Sequence, residues 1–201
     1  GKKLRKKSHI LLGRYLADQM SEVYSLQQHR KAFCLGNIMP DLKPSFLTTR
    51  HEFFGTFNQL QSNMRELVER SPEEDNARVY WRRFGEVMHY MADYFTFPHN
   101  RTYKGSLAEH NSYEAELKNR LKECILSGRA DSQLEEAKHF DSFEELVEYI
   151  RERHTCYLES PRCIADDIRF ILRVCYQVVQ GIFQLCMRRQ FHMEEQPLMV
   201  G

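Results

Sequence analysis

The chain has 201 residues, a length that suits one domain with a real hydrophobic core. Its 29 Lys and Arg nearly balance 28 Asp and Glu, giving a net charge of +1, so no global field selects nucleic acid or an anionic lipid surface. No apolar run approaches the roughly 20 residues of a membrane span, and the basic start Lys2–Lys7 does not lead into a signal peptide, so no transmembrane segment is expected.

The first predicted helix starts at Ser8 and places His9, Leu12, Leu16, Met20 and Val23 on one face. Residues 34–44, with Gly36, Pro40 and Pro44, read as an irregular loop that carries Asp41. Thr49 and Glu52 have the spacing of a capping box, which puts His51 in the first turn of a second helix. The third predicted helix is the centre of the chain. Ser71 caps it, Pro72 takes the first position, Glu74 closes a capping box, and the helix runs to Phe97, where Pro98 stops it. Val87, Met88, Tyr90, Met91, Tyr94 and Phe95 make it apolar almost all round, as a buried helix is. Ser106 and Glu109 cap a fourth helix with His110, Glu114, Leu117 and Leu121 on one stripe. Residues 127–140 read as a polar, exposed linker. Ser142 and Glu145 open a fifth helix and Ser160–Pro161 a sixth, in which Ile164, Ile168, Ile171, Cys175, Val178, Ile182 and Cys186 keep helical spacing. No alternating strand pattern runs beyond a few residues. The predicted fold is therefore all-α: a single domain, residues 1–201, built as a multi-helix bundle around a buried central helix. Six cysteines without C-x-x-C spacing, mostly among apolar positions, read as buried reduced thiols of a cytoplasmic protein.

On the central helix Gly85, His89 and Asp93 recur at i, i+4 and i+8, so an imidazole and a carboxylate point the same way and a glycine leaves room beside them. A buried Asp needs a partner or a metal. Gathering the other polar residues that fall on apolar faces or helix ends gives His9, Asp41, His51, His89, Asp93, His99, His110 and Glu114. Singly, His9 reads as a packed residue, Asp41 as a turn residue, and His110 with Glu114 as a solvated pair. Together they are nitrogen and oxygen donors for two or three divalent ions of the zinc type. His29, His139, His154 and His192 stand in polar or terminal contexts and read as surface residues.

The segments Ser-His-Ile-Leu-Leu-Gly-Arg-Tyr-Leu, Gly-Asn-Ile-Met-Pro-Asp, Arg-His-Glu-Phe-Phe, His-Tyr-Met-Ala-Asp-x5-His and His-x3-Glu resemble, in order and spacing, those of the bacterial zinc-dependent phospholipases C. The resemblance implies that Asp41, His51, His89 and Asp93 hold one zinc and that His99, His110 and Glu114 hold a second. It also implies that Asp93 bridges to a third zinc, which takes His9. In secreted members that third ion is completed by the α-amino and carbonyl groups of a processed N-terminal residue, usually Trp; here the only Trp is Trp81. Leu42 and Thr48 stand where choline-preferring members carry aromatic residues, so a choline head group is not implied.

The chemistry expected of such a centre is phosphoric ester hydrolysis, with a metal-bridging hydroxide attacking phosphorus and Asp41 and Asp93 as the catalytic carboxylates. The expected substrate is a phosphate ester or phospholipid, and nucleic acid is not expected as a partner. Two further readings stand beside it. A single-strand-specific zinc nuclease is similar in fold and metal site, but that family usually ends its last motif in His-x3-Asp rather than His-x3-Glu, and nucleic-acid grooves are normally basic. A metal-stabilised helical protein without turnover would have closed ligation with no open position.

Overall fold

The computed structural model describes residues 2–42, 52–100, 103–161 and 163–194. Among these residues there are ten α-helices and no strand. They are α1 (Lys2–Gln19), α2 (Tyr24–Gln28), α3 (Arg30–Gly36), α4 (Met39–Leu42), α5 (Phe53–Glu69), α6 (Ala77–Tyr94), α7 (Leu107–Leu126), α8 (Arg129–Gln133), α9 (Phe143–Glu159) and α10 (Ile164–Glu194). A short 3-10 turn, Phe97–His99, joins α6 towards α7. The all-α reading of the sequence is the fold observed.

The central helix is α6, and it buries Tyr80, Trp81, Phe84, Val87, Met88, Met91 and Tyr94 on almost every side. It begins later than Ser71. Ser71 and Glu74 do make the reciprocal bonds of a capping box, Ser71 N–H to Glu74 Oε2 at 2.9 Å and Glu74 N–H to Ser71 Oγ at 3.2 Å. That box closes a turn rather than a helix, and α10 engages it through Arg189 on Glu74 and Gln190 on Ser71. The helix itself is capped by Asn76, whose side chain accepts from Val79 N–H at 3.1 Å. At its other end α6 stops at Tyr94, and Pro98 lies inside the following turn.

Residues 34–42 are not the loop expected. Gly36 ends α3, and Asp41 sits in α4. Gly36 is there for proximity: a Cβ on it would collide with the Arg82 carbonyl of α6, and one on Gly85 would collide with the Phe33 carbonyl of α3. Two facing glycines thus let α3 and α6 cross backbone to backbone. The space beside Gly85 is filled by a helix, not left open.

The first helix starts earlier than Ser8, at Lys2, and the last starts at Ile164 rather than at Ser160–Pro161. Ser106 forms the full capping box with Glu109, and Ser142 caps α9 by accepting from Glu145 N–H. Thr49 and His51 lie outside the described residues, and Glu52 takes the N-cap position of α5 without a side-chain capping bond. The stretch 127–140 is only partly a linker, because it holds α8 and buries Ala130 and Phe140. All six cysteines are free, but only Cys175 and Cys186 are buried, while Cys156 and Cys163 are exposed.

The 31 residues of α10 run about 46 Å and pack on α5, α6, α7 and α9. By length and apolarity this helix could cross a membrane, which the sequence expectation did not foresee. In the fold most of its apolar stretch is buried against the other helices, which is the place of a core helix.

Candidate metal centre

The centre is assembled by five segments that the chain brings together over α6. His89 and Asp93, one turn apart near the C-terminal end of α6, are both buried. The close crossing of α3 lets the Asn37 carbonyl accept from His89 Nδ1–H at 2.8 Å. A carbonyl only accepts, so the proton is on Nδ1 and Nε2 turns its lone pair into the centre. Such an outer bond to a backbone carbonyl is how metal-binding histidines are held in one tautomer and orientation.

Around His89 the other residues close in. The His9 ring from α1 stacks on the His89 ring with centroids 3.9 Å apart. His9 Nε2 lies 3.1 Å from Asp93 Oδ1, and His89 Nε2 lies 3.2 Å from Asp93 Oδ2. Asp41 brings Oδ1 to 3.6 Å from His89 Nε2. Ligand atoms of His9, Asp41 and His89 all lie within 4.8 Å of one another. A second group forms where the 3-10 turn meets α7. His99 Nε2 and His110 Nε2 converge on one oxygen, Glu114 Oε1, at 3.2 and 2.7 Å, and these three residues likewise fall within 4.8 Å. Asp93 connects the groups, because its Oδ2 is also 3.6 Å from His99 Nδ1.

Of the eight residues singled out in the sequence, seven are therefore brought to one place, and His51 lies outside the described residues. His9 takes a position not foreseen: it sits with Asp41 and His89 as well as against Asp93.

The electrostatics favour a cation. Asp41, Asp93 and Glu114 are all buried in this small volume. Burial by itself lowers the His9 pKa, yet the carboxylates of Asp93, Asp41 and Glu114 outweigh it and hold His9 above its ordinary value. For His89 the balance falls the other way: burial and the neighbouring His9 outweigh Asp93 and Asp41, and its pKa is lowered. Three buried carboxylates in one small volume favour a positive charge beside them, which a metal ion can supply. Asp41 tests the fit most directly. Both of its oxygens are buried and neither has a hydrogen-bond partner among the described residues. A carboxylate without donors is too costly to bury unless a cation accompanies it. The donor set, imidazole nitrogens and carboxylate oxygens with no thiolate, suits zinc-type ions.

A cavity of about 30 Å³ lies between His9, Asp93, His99 and Glu114 on one side and Leu12, Leu117 and Leu121 on the other. It is large enough for an ion or an ordered water.

Three residues near the centre escaped the sequence reading. Asn37 acts through its backbone, which side-chain patterns do not reveal. His154 is buried, stacked on Phe53 at 4.0 Å, with Nε2 3.1 Å from Asn100 Oδ1. Burial pushes its pKa down to about 4. The spacing Val147, Ile150, His154, Tyr157 places it on the apolar stripe of α9 and was the available signal. Asp167, on the apolar face of α10, is fully buried too.

No curated protein and no solved structure matches this chain. A match of a different kind covers residues 8–164, from the residue before His9 in α1 to the first residue of α10, and includes all eight candidate ligands. It is to the zinc dependent phospholipase C family, whose name carries the same metal that the donor set calls for, and to that family the chain belongs.

Proposed function

We propose that this protein is a zinc-dependent phosphoric ester hydrolase, a phospholipase C-like phosphodiesterase whose substrate is a phospholipid or a related phosphate ester. The observation that carries the reading is Asp93, a buried carboxylate touching both ligand groups: His9 and His89 on one side, His99 on the other. Asp41, His89 and Asp93, together with His51, would hold one zinc; His99, His110 and Glu114 would hold a second. His9, which reaches Asp93 and stacks on His89, is available to either the first ion or a third.

Zinc at such a centre supplies Lewis acidity to a phosphate oxygen and lowers the pKa of a water to near neutrality. The chain's own residues do the rest. Asp93 fixes the two ligand groups relative to each other from the most deeply packed helix. Asp41, whose oxygens have no hydrogen-bond partner among the described residues, would orient the attacking water and take its proton. His89, locked by the Asn37 carbonyl, keeps Nε2 directed inward. Leu12, Leu117 and Leu121 line the apolar side of the cavity beside the centre. The packing of α10 on α1, α5, α6, α7, α8 and α9 supports one domain spanning residues 1–201, and six free cysteines suit a reducing, cytoplasmic setting.

The test combines metal analysis with a panel of nitrophenyl phosphate mono- and diesters, phospholipid vesicles and single-stranded DNA. Bound zinc with ester and phospholipid hydrolysis, abolished by a chelator and restored by zinc, is the expected result. Preferential cleavage of DNA would favour the nuclease reading instead. Bound zinc without turnover on any substrate would leave a metal-stabilised helical protein.

A further inference from the structure

The family match stops at residue 164, so nothing in it assigns a role to α10. Yet α10 sends one carboxylate into the region behind the His99–His110–Glu114 group. Asp167 is fully buried among Ile164, Ile168 and Ile171 of its own helix. Its Oδ1 accepts from Tyr157 O–H of α9 at 2.6 Å. Its Oδ2 accepts from two donors at once, Tyr113 O–H at 2.7 Å and the Phe97 backbone N–H at 2.9 Å. Phe97 opens the turn that ends in His99, and Tyr113 immediately precedes Glu114 on α7. One oxygen atom therefore ties together the two elements whose side chains must converge for that group to exist.

We propose that Asp167 is a positioning residue for the His99–His110–Glu114 pocket, setting the turn of His99 and the helix of Glu114 at the spacing a zinc ion requires. This rests on the reading of that pocket as a zinc site. Helix packing alone does not call for an ion here. An isolated carboxylate is costly to bury, and an apolar residue of similar volume would hold α9 and α10 together as well or better. A carboxylate is the side chain that accepts three donors in a small space, and two of the three lead to the pocket. Ligand groups held by such outer bonds bind metal more tightly because their geometry is fixed beforehand. The Phe97 ring adds to the clamp, edge-on to Tyr113 at 6.0 Å and to Tyr103 at 5.2 Å.

The two tyrosines separate positioning from mere packing. Tyr113→Phe removes the bond on the ligand-bearing helix; Tyr157→Phe removes a bond to the same carboxylate from α9, which bears no candidate ligand. Zinc affinity is measured on full-length, metal-stripped protein by competition with a chromophoric chelator, with His110→Ala identifying which zinc equivalent belongs to the pocket. Tyr113→Phe and Asp167→Asn should weaken that equivalent about 10–100-fold and leave the other unchanged. Tyr157→Phe should lower the melting temperature in chelator but keep zinc affinity within about twofold of wild type. Where Asp167→Asn does not fold, the tyrosine pair carries the test. Unchanged affinity in Tyr113→Phe, or equal weakening in Tyr157→Phe, overturns the positioning role while the zinc site stands. A wild-type protein that takes up no zinc overturns the site itself, and the role with it.

Discussion

The crossing of α3 and α6 sets up a sharp test of how the centre is held. In Gly85→Ala the new methyl would overlap the Phe33 carbonyl and stand 2.9 Å from Asn37 N. Both are backbone atoms of α3 and its C-cap, so neither can rotate away, and the helices must part by about 1 Å. The His89 Nδ1 to Asn37 carbonyl distance of 2.8 Å would then lengthen beyond hydrogen-bond reach. Overpacking costs about 1–3 kcal/mol and the orphaned buried donor about 1–3 more, so a loss of roughly 3–5 kcal/mol is expected. For a chain of this length that corresponds to a fall of about 10 °C in melting temperature. Zinc affinity should also drop about 10–100-fold, because His89 loses the bond that orients it. Urea unfolding in chelator measures the first effect and competitive zinc titration of the folded variant the second. Gly13→Ala is the control. Its Cβ would meet the Asn37 side chain first, no closer than 3.0 Å, rather than a backbone atom, so its cost should stay at about 1 kcal/mol. A Gly85→Ala protein as stable as Gly13→Ala, with wild-type zinc affinity, would refute the account of the crossing.

Three further outcomes follow from the same geometry. Asp93→Asn keeps the shape of the side chain but removes the charge shared by the two ligand groups; one zinc equivalent should be lost and ester hydrolysis should fall at least about a hundredfold, with His139→Ala unchanged as the exposed control. Chelation should lower the melting temperature by several degrees, because Asp41 and Asp93 would be left as buried charges without a cation; an unchanged transition by calorimetry would speak against the centre. His154 has a folded pKa of about 4 against an ordinary 6.5, so the unfolded chain binds the extra proton and stability should decline as pH falls from about 6.5 to about 4. The shift corresponds to about 3 kcal/mol, and urea unfolding in chelator should show a shallower acid decline in His154→Gln than in wild type.

The sequence revealed those parts of the structure that depend on neighbours in the chain. The caps at Ser106 and Ser142, the apolar stripes, and the facing of His89 and Asp93 are matters of three or four residues, and they were legible. The start of α6 was misread because two capping signals lie close together, and the one at Ser71 is taken up by contacts from α10 that no local pattern announces. Gly36 and Gly85 were read as a turn residue and as open room. Both serve the approach of a helix distant in sequence, and a single glycine looks the same in either role. The stacking of His9 on His89, the Asn37 carbonyl and the three bonds of Asp167 depend on tertiary packing in the same way. His154 is the instructive miss, since its spacing did place it on a buried stripe and only its polarity argued for the surface.

The last helix gives the protein two different borders. The family match ends at residue 164, whereas the apolar wall continues through Ile168, Ile171, Leu172, Val178, Val179 and Ile182. A recombinant fragment trimmed to the matched segment would carry every proposed zinc ligand and still lack one side of its interior. Such a fragment would bare the inward faces of α5, α6 and α9, and its fate would be aggregation or a loosened, metal-hungry state. Expression trials, fusion partners and cleavage sites are therefore best placed beyond Glu194, where the helix ends, and not at the edge of recognisable ancestry.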